Sequence, residues 1–371
     1  MKKLKIIISG GGTGGHVFPA IAIADAIKAK RPDTEFLFVG AKGKIETEKV
    51  PAAGYNIEVL NISGFHRKSL RRNLTFGFKL AQSLWRAAKI IRTYEPDAVV
   101  GVGGYASGPV LEMAGRKGIP TLVQEQNSYP GVTNKLLAKK AKKICVAYKG
   151  MDRFFPAAKI QLTGNPVRED IRRSTATRDE GLRHFGLDPA KQTVVVTGGS
   201  LGARSINEAM AANADSIRNN PQVQILWQAG KLYIEKFSQS ETAQCENVKI
   251  SQFIDRMDLA YAAADVVIGR AGALTISELC LVGKPAILIP SPNVAEDHQT
   301  KNALALTREN AAVLVKDKEA KELIIRSALE ILGDEKRAKE LSNNILQAGK
   351  PDAAAEIADA VLALADADTV V

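Results

Sequence analysis

The sequence has few of the residues that define several common protein classes. Its three cysteines are isolated, which excludes a disulfide framework and a cysteine-based zinc site: Cys145, Cys245 and Cys280. The four histidines show no metal-ligand spacing. Aromatic residues make up 5% of the chain, too few for the stacking platform of a protein that binds single-stranded nucleic acid. No uncharged stretch is long enough to span a bilayer, and the apolar run near Met1 is too short for a signal peptide. We therefore expect a chain of a reducing compartment, the cytoplasm.

Basic charge is concentrated in one half of the chain. The 371 residues are enough for two domains. Residues 1–167 carry 27 Lys and Arg against 11 Asp and Glu, whereas the remainder carries 24 against 29. The formal charge of +11 is thus a balance of +16 in the first part and −5 in the second. This asymmetry predicts that the N-terminal half meets a polyanion or an anionic membrane.

A glycine-rich turn near the N-terminus organises the first half. Lys5–Ser9 has the unbroken apolar centre of a buried parallel strand. Gly10–His16 follows, and Val17–Lys30 shows apolar residues at helical spacing. A glycine turn between a strand and a helix lets backbone N–H groups approach an anion or a sugar closely. His16, at the end of this turn, can move a proton near neutral pH.

The same turn matches the Gly-x-Gly-x-x-Gly fingerprint of dinucleotide-binding folds, at positions 10, 12 and 15. That fingerprint requires an acid at the end of the second strand, where it bonds the ribose hydroxyl. The predicted second strand, Glu35–Gly40, has its acid at the opposite end. An NAD site is therefore disfavoured, and an NADP site that uses Lys42 is a remote alternative.

Two further strand ends in the first half carry glycine or polar residues. Asp97–Val102 leads into Gly103-Gly104-Tyr105, and Pro120–Gln124 leads into Glu125-Gln126-Asn127. In an open α/β sheet these ends lie on one rim, where ligands bind. Residues 125–127 therefore either meet a ligand or cap the helix predicted at Thr133–Lys140.

The same plan restarts after Gly164–Arg168, a linker punctuated by Gly and Pro. The strand Thr193–Thr197 and the turn Gly198–Arg204 repeat residues 6–20 at an offset of 188. This repetition predicts a second α/β domain with its own glycine loop.

A helix start in the second half has the features of a phosphate site. The strand Val266–Gly269 leads into Arg270–Glu278, which opens a helix that runs to Val282. The N–H groups of its first turn and the Thr275 hydroxyl can bind a diphosphate. Glu278, one turn further on, either bonds a ribose diol or acts as a capping-box partner.

Residues 65–92 contain eight Lys or Arg and no acid. Leu80, Leu84, Ala88 and Ile91 mark one helical face there. One interpretation is a core-facing helix with a solvated basic back. The alternative is contact with a membrane surface through apolar residues set among basic ones: Leu74, Phe76 and Phe78 with Arg71, Arg72 and Lys79.

Nine short motifs in a fixed order resemble the MurG family of bacterial N-acetylglucosaminyltransferases over nearly the whole chain. They are GGGTGGHVFPA (10–20), GGYASGP (103–109), EQN (125–127), TNKLLA (133–138), GNPVR (164–168), GGSLGAR (198–204), FID (253–255), RAGALTISE (270–278) and HQTKNA (298–303). The resemblance implies the α/β GT-B architecture, with two Rossmann-like domains facing across a cleft. It assigns residues 1–167 to an acceptor-binding, membrane-facing domain and 168–346 to a UDP-sugar domain. The last helix, within 347–371, would pack back on the N-terminal domain.

The resemblance also implies the reaction. N-acetylglucosamine would pass from UDP-N-acetylglucosamine to the C4 hydroxyl of the muramoyl unit of lipid I, with inversion, and form lipid II. The implied substrate-binding residues are Thr13, Gly14, Gly15, Tyr105, Asn127, Arg168, Ser200, Ile254, Ala273, Leu274, Thr275, Ile276, Ser277, Glu278, His298 and Gln299. An inverting transfer needs a base, for which His16 and Glu125 are both candidates. None of the nine motifs contains an Asp-x-Asp metal site, so no obligatory metal or other cofactor is expected.

The expected partners follow from that reaction. They are the UDP-sugar, the undecaprenyl-linked acceptor, an anionic membrane surface and other cell-wall synthesis proteins, without nucleic acid. The expected location is the cytoplasmic face of the cell membrane, as a peripheral protein. The nearest alternative is a UDP-N-acetylglucosamine 2-epimerase, which would share the two-domain plan but would not need a basic face of +16.

Overall fold

The computed structural model describes residues 3–62 and 76–367. His66, Arg71, Arg72 and Leu74 lie outside the described residues. The chain divides into two compact units. Unit 1 comprises Met1–Arg168 and Pro351–Val371, and unit 2 comprises Glu169–Lys350.

Unit 1 contains a parallel sheet of seven strands in its described residues, in the order β3-β2-β1-β4-β5-β6-β7. The strands are β1 Lys5–Ser9, β2 Glu35–Ala41, β3 Asn56–Leu60, β4 Ala98–Gly101, β5 Thr121–Glu125, β6 Lys143–Val146 and β7 Ile160–Leu162. The helices are α1 Gly14–Lys30, α2 Glu46–Ala52, α3 Phe76–Tyr94, α4 Ser107–Arg116, α5 Val132–Leu137 and, from the C-terminal segment, α16 Ala353–Ala367. The strand order changes direction between β1 and β4, and ligands of open α/β sheets bind at such a point.

Both faces of this sheet are covered. Ile6 and Ile8 pack in one apolar cluster with residues of α1 and α16, whereas Ile7 packs in another with residues of α3 and α4. Successive side chains of a strand point to opposite faces, so an unbroken apolar run fits a strand that is buried on both sides. On α16, Ile357 and Val361 are fully buried in the cluster that contains α1.

Unit 2 repeats this plan with a parallel sheet in the order β10-β9-β8-β11-β12-β13. The strands are β8 Gln192–Thr197, β9 Val223–Gln228, β10 Val248–Ser251, β11 Val266–Gly269, β12 Ala286–Leu288 and β13 Val313–Leu314. The helices are α6 Glu169–Arg172, α7 Arg178–Phe185, α8 Arg204–Ala211, α9 Ala214–Arg218, α10 Ile234–Phe237, α11 Met257–Ala263, α12 Ala273–Val282, α13 His298–Thr307, α14 Ala320–Leu332 and α15 Glu335–Gln347. In unit 2 the strand order changes direction between β8 and β11. Strand β8 precedes the glycine turn Gly198–Arg204, and β11 precedes α12, the helix predicted to bind a diphosphate.

The structure confirms several predicted strands and corrects some element ends. Lys5–Ser9 and Val266–Gly269 are strands with the predicted bounds. Helix α1 begins at Gly14 rather than at Val17, so His16 lies in its first turn. Strand β5 includes Glu125 as its last residue.

The buried face of α3 includes Ile91, as predicted, but its other residues lie one position before the predicted ones. Ser83, Ala87 and Ile91 are buried, whereas Leu80, Leu84 and Ala88 are half-buried at its margin. None of the helices in the described part of the chain is long and apolar enough to cross a membrane.

Candidate active site

The carboxyl ends of β1 and β4 carry two glycine loops that touch through their backbones. The Gly11 N–H donates to the Gly103 carbonyl oxygen at 3.3 Å. A Cβ atom on Gly104 would lie 2.4 Å from the Gly11 carbonyl oxygen, and Gly104 has a φ of +86°. Only glycine permits both this approach and this conformation. Tyr105, next in the second loop, is exposed.

Helix α1 begins at this rim with features that favour an anion. Thr13 is its N-cap residue in an extended conformation, and Gly14 and Gly15 form the start of the first turn. Within the described residues no side chain caps this end, and its first turn contains no acid. The first N–H groups of a helix lack intrahelical acceptors and carry the positive end of the helix dipole. These three predicted residues can therefore bind a negatively charged or hydroxylated group.

The ring of His16 is oriented by the first glycine loop. Its Nδ1 atom lies 2.9 Å from the Gly11 carbonyl oxygen and 3.3 Å from the Thr13 hydroxyl oxygen. A carbonyl oxygen only accepts, so Nδ1 carries the hydrogen of the neutral ring and donates it to Gly11. The lone pair of the neutral ring then lies on Nε2, as a general base requires.

A buried carboxylate that the sequence analysis missed holds the same loop. Glu46, at the start of α2, is 1% exposed. Its Oε2 atom accepts the Gly12 N–H at 2.8 Å, and its Oε1 atom accepts the Ala41 N–H at 2.9 Å. In the sequence, Glu46 is marked only by its position, five residues after Ala41, where β2 ends. By contrast, Glu35 lies at the start of β2, away from the glycine turn, and pairs with Lys3 at 2.7 Å.

Glu125 is a buried carboxylate whose two oxygens are occupied by N–H donors. Oε1 accepts from the backbone and side chain of Asn127 at 3.0 and 3.2 Å. Oε2 accepts from the side chain of Asn134 at 2.8 Å and from the Gly131 backbone, the N-cap of α5, at 3.2 Å. Burial raises the pKa of Glu125, and these hydrogen bonds oppose that change. Glu125 thus binds the backbone of the N-cap residue of α5 without capping the first turn of that helix, and its contact with Asn127 fixes the loop that carries Asn127.

The unit 2 rim repeats the contact between two loops. A Cβ atom on Gly230 would lie 2.1 Å from the backbone nitrogen of Gly202, and Gly230 has a φ of +84°. Ser200, in the turn that precedes Gly202, is exposed, and its carbonyl oxygen accepts the Lys231 N–H at 3.1 Å. The Ser200 side chain thus lies on the surface of the rim, beside the carboxyl end of β8.

Helix α12 begins beside this turn with the features of a diphosphate site. Its N-cap is Gly272, and the first intrahelical hydrogen bond runs from the Ile276 N–H to the Gly272 carbonyl oxygen at 2.9 Å. The N–H groups of Ala273, Leu274 and Thr275 precede that bond and have no acceptor within the helix. Its first turn contains no acid. Ser277 donates its hydroxyl to the Ala273 carbonyl oxygen at 2.9 Å.

Glu278 is the sixth residue of α12, so it is not a capping-box partner, which would be the third. Its Oε2 atom accepts a 2.9 Å hydrogen bond from the hydroxyl of Tyr261 on α11. Tyr261 is fully buried and Glu278 is half-buried. A carboxylate held in this way can present its other oxygen to a diol.

Ile254 lies in the loop that follows β10, and its backbone N–H is already used. It donates to Oε1 of Gln228 at 2.8 Å, and Gln228 donates to the Thr197 hydroxyl at 2.9 Å. A ligand contact through the Ile254 backbone would therefore use its carbonyl oxygen.

His298 and Gln299 begin α13 after two residues with unusual backbone angles. Glu296 and Asp297 have φ of 55° and 51°, a region that non-glycine residues seldom occupy. Oε1 of Gln299 accepts the Ser291 N–H at 2.8 Å. The amide nitrogen of Gln299 remains as its donor to a ligand.

The remaining predicted site residue, Arg168, is half-buried and is the last residue of unit 1 before Glu169. Residues 3–62 and 76–367 contain no group of three or more His, Cys, Asp or Glu that could hold a metal ion.

Family models match both units. The glycosyltransferase family 28 N-terminal domain matches residues 6–146, and the C-terminal domain of the same family matches residues 193–357.

The chain is also similar to named proteins over almost its whole length. A protein of Bacteroides fragilis is 54% identical, over 98% of this chain and 96% of its own length. One from Cytophaga hutchinsonii is 53% identical, over 99% of this chain and 98% of its own length. Both are named UDP-N-acetylglucosamine–N-acetylmuramyl-(pentapeptide) pyrophosphoryl-undecaprenol N-acetylglucosamine transferase.

Solved structures agree with these similarities. MurG of Acinetobacter baumannii is similar with a TM-score of 0.78 and 27% identity, over 97% of this chain and 99% of that one. A putative UDP-N-acetylglucosamine 2-epimerase of Listeria monocytogenes has a TM-score of 0.69 over 97% of this chain and 96% of its own. Its 14% identity makes it similar in fold alone. The predicted GT-B fold of two Rossmann-like units is confirmed. The chain belongs to glycosyltransferase family 28, among the N-acetylglucosamine transferases that act on N-acetylmuramyl-(pentapeptide) pyrophosphoryl-undecaprenol.

Proposed function

We propose that this chain transfers N-acetylglucosamine from UDP-N-acetylglucosamine to the C4 hydroxyl of the muramoyl unit of lipid I, with inversion, and so forms lipid II. The observation that carries the proposal is the α12 site, where an acid-free helix start lies one turn from a carboxylate held by Tyr261. This arrangement suits a nucleoside diphosphate, whose phosphates and ribose differ in charge and in hydrogen-bonding needs. The near full-length similarity to named transferases supports the specific sugar and acceptor.

Unit 2 is proposed to bind the donor. The N–H groups of Ala273–Thr275 and the Ser200 hydroxyl would bind the diphosphate, with Ile276 and Ser277 completing the first turns of α12. Glu278 would accept from the ribose hydroxyls, and the Ile254 carbonyl would accept from the uracil N–H. The amide nitrogen of Gln299 would donate to the sugar, with His298 beside it and Arg168 as a further donor-binding residue.

Unit 1 is proposed to bind the acceptor and to supply the base. Thr13-Gly14-Gly15 and Tyr105 would contact the acceptor diphosphate and sugar, and Asn127 the transferred sugar. His16 is preferred to Glu125 as the base, because Nε2 carries the lone pair of the neutral His16 ring whereas both oxygens of Glu125 accept N–H donors. Glu125 would then act by fixing the loop of Asn127.

The proposed step is a single displacement at the anomeric carbon. His16 takes the proton from the acceptor C4 hydroxyl as its oxygen forms the bond to C1 of N-acetylglucosamine. The bond from C1 to the β-phosphate oxygen breaks, and its electron pair leaves with UDP. The N–H groups at the start of α12 would stabilise the charge that develops on the leaving diphosphate.

Attachment to the cytoplasmic face of an anionic membrane is proposed for unit 1. Phe78 and Trp85, one heptad apart on α3, are 74% and 69% exposed. Lys79 and Lys89 lie on the same helix, and Lys89 lies 5.9 Å from the Trp85 ring. Exposed aromatic rings beside lysines suit the boundary between headgroups and acyl chains. Other cell-wall synthesis proteins are proposed as further partners on the strength of the family alone.

Acceptor-dependent release of UDP tests the function. The protein would be incubated with UDP-N-acetylglucosamine, with and without a soluble lipid I analogue, and free UDP measured over time. We expect UDP release only with the acceptor. Release at the same rate without it, or formation of UDP-N-acetylmannosamine, would contradict the proposal and favour hydrolysis or epimerisation.

A further inference from the structure

The start of α2 carries a buried acid for which the proposed reaction step gives no role. Glu46 is 1% exposed, although it lies in the charged stretch Lys42–Lys49. Its two oxygens accept backbone N–H groups from different strand ends, Gly12 after β1 and Ala41 at the end of β2. A buried carboxylate that joins two backbone segments fixes their relative position, because either segment can move only by leaving an N–H group unpaired.

A Cβ atom at either of two nearby glycines would displace the Glu46 side chain. A Cβ atom on Gly11 would lie 2.2 Å from the carboxyl carbon of Glu46. One on Gly40 would lie 2.5 Å from its Cγ atom. The glycine loop is therefore packed directly onto this carboxylate.

The loop that Glu46 holds is the one that orients His16. Gly11 lies between Gly10, whose N–H donates to the Val39 carbonyl oxygen at 3.2 Å, and Gly12, whose N–H donates to Glu46. The carbonyl oxygen of Gly11 is the acceptor for Nδ1 of His16 at 2.9 Å. A shift of Gly11 would move this acceptor and release the ring from the tautomer with the lone pair on Nε2.

We propose that Glu46 is a positioning residue for His16, acting through the Gly11 carbonyl. This inference rests on the proposed function, since it takes His16 as the base. It predicts that loss of the Glu46 carboxylate lowers turnover more than donor binding, because the donor site lies in residues of unit 2.

Glu46→Gln is the first test, because it keeps the shape of the side chain. One carboxylate oxygen becomes an NH₂ group, which cannot accept from Gly12 or Ala41. We expect kcat to fall about tenfold or more, with the KM for UDP-N-acetylglucosamine changed less than about twofold. The control is Glu48→Gln, the same substitution at an exposed position of the same helix, which should leave both constants unchanged.

Gly40→Ala is a second variant that leaves the charge of Glu46 in place. The added methyl group would displace the Glu46 side chain, while the backbone of Gly40 does not require glycine, since its φ lies outside the left-handed region. The same fall in kcat is expected, so the proposal stays testable if Glu46→Gln fails to fold.

A spectroscopic readout separates positioning from general stability. Protein labelled with ¹⁵N-histidine should show the His16 ring, identified by its loss in His16→Ala, with hydrogen on Nδ1. In Glu46→Gln and Gly40→Ala the ring signals should move toward the other tautomer. Wild-type kcat and ring signals in both variants would overturn the proposal. So would equal losses of kcat, donor affinity and melting temperature with the Nδ1–H tautomer retained.

These outcomes are distinct from failure of the base assignment. If His16→Ala kept wild-type kcat, the proposed base would be wrong, yet the ring signals would still decide whether Glu46 positions His16.

Discussion

The hydroxyl of Tyr261 donates a 2.9 Å hydrogen bond to Oε2 of Glu278, from a fully buried position on α11 to a half-buried one on α12. This bond orients the Glu278 carboxylate. It also fixes the side chain at a constant distance from the start of α12, where the diphosphate is proposed to bind. The spacing between the proposed ribose and diphosphate contacts is thus set within one unit.

Removal of Glu278 should weaken donor binding through the ribose. Glu278→Ala removes a charge-assisted hydrogen bond of about 1.5–3 kcal/mol, so the Kd for UDP should rise about 10- to 150-fold. Tyr261→Phe keeps the carboxylate but removes the hydrogen bond that orients it, so the Kd for UDP should rise about tenfold or less. Calorimetry with UDP and 2′-deoxy-UDP measures both effects. Discrimination between these ligands should vanish in Glu278→Ala, and undiminished discrimination would refute the ribose contact.

Replacement of His16 should remove the base and spare the donor site. His16→Ala should lower kcat by about 10²–10⁴, with UDP-N-acetylglucosamine affinity retained, because proton transfer contributes a factor of this size. Steady-state kinetics with saturating acceptor measure the change. His184→Ala is the control, since His184 is exposed on α7. A silent His16→Ala together with a Glu125→Ala variant that loses 10²–10⁴ of kcat would exchange the two roles.

Most of the fold can be predicted from two sequence patterns, the unbroken apolar runs and the glycine-rich turns. Strands such as Lys5–Ser9 and Val266–Gly269 have buried residues on both faces, so their composition alone distinguishes them. The sequence predicts the start of α1 at Val17, three residues later than the observed Gly14, because glycine has a low helix propensity and gives no positive signal.

Residues whose role depends on distant contacts could not be predicted in the same way. Glu46 lies among charged residues that show no apolar period, and its carboxylate accepts a hydrogen bond from Gly12, 34 residues away in the chain. Tyr261 lies 17 residues before its partner Glu278. The motifs identified Glu278, whereas only the hydrogen bond between α11 and α12 in the folded chain identifies the donor that orients it.

Asp258, four residues after Ile254, should make the stability of the fold depend on pH. Arg256 donates two hydrogen bonds to Asp258, at 2.9 and 2.7 Å, and these lower the pKa of that carboxyl. A folded-state pKa below the unfolded value of about 3.9 stabilises the fold above that value, and the contribution is lost as pH falls through the folded pKa. Asp258→Asn should therefore lower the melting temperature at pH 7, and the difference should shrink below about pH 4. Thermal unfolding across that range measures it, and a constant difference would contradict the ion pair as its cause.

Membrane attachment should separate into a salt-sensitive and a salt-resistant part. Charge reversal at Lys79 and Lys89 should weaken sedimentation with anionic vesicles at low salt, since each basic residue near the surface contributes about 1 kcal/mol that salt screens. Phe78→Ala with Trp85→Ala should remove the binding that remains at high salt. Leu346→Ala is the control, an exposed apolar residue of unit 2. Activity should fall on a long-chain lipid acceptor and persist on a short-chain one, whereas equal loss on both would exclude the membrane role.

The identity of the product tests the central claim most directly. The protein would be incubated with UDP-N-acetylglucosamine and a short-chain lipid I analogue, and the product would be characterised by mass spectrometry and by the anomeric proton coupling in NMR. The account predicts one added N-acetylglucosamine in a β1→4 linkage to the muramoyl sugar. An α linkage, a sugar on another hydroxyl, or a UDP-sugar epimerised at C2 with the acceptor unchanged would contradict it.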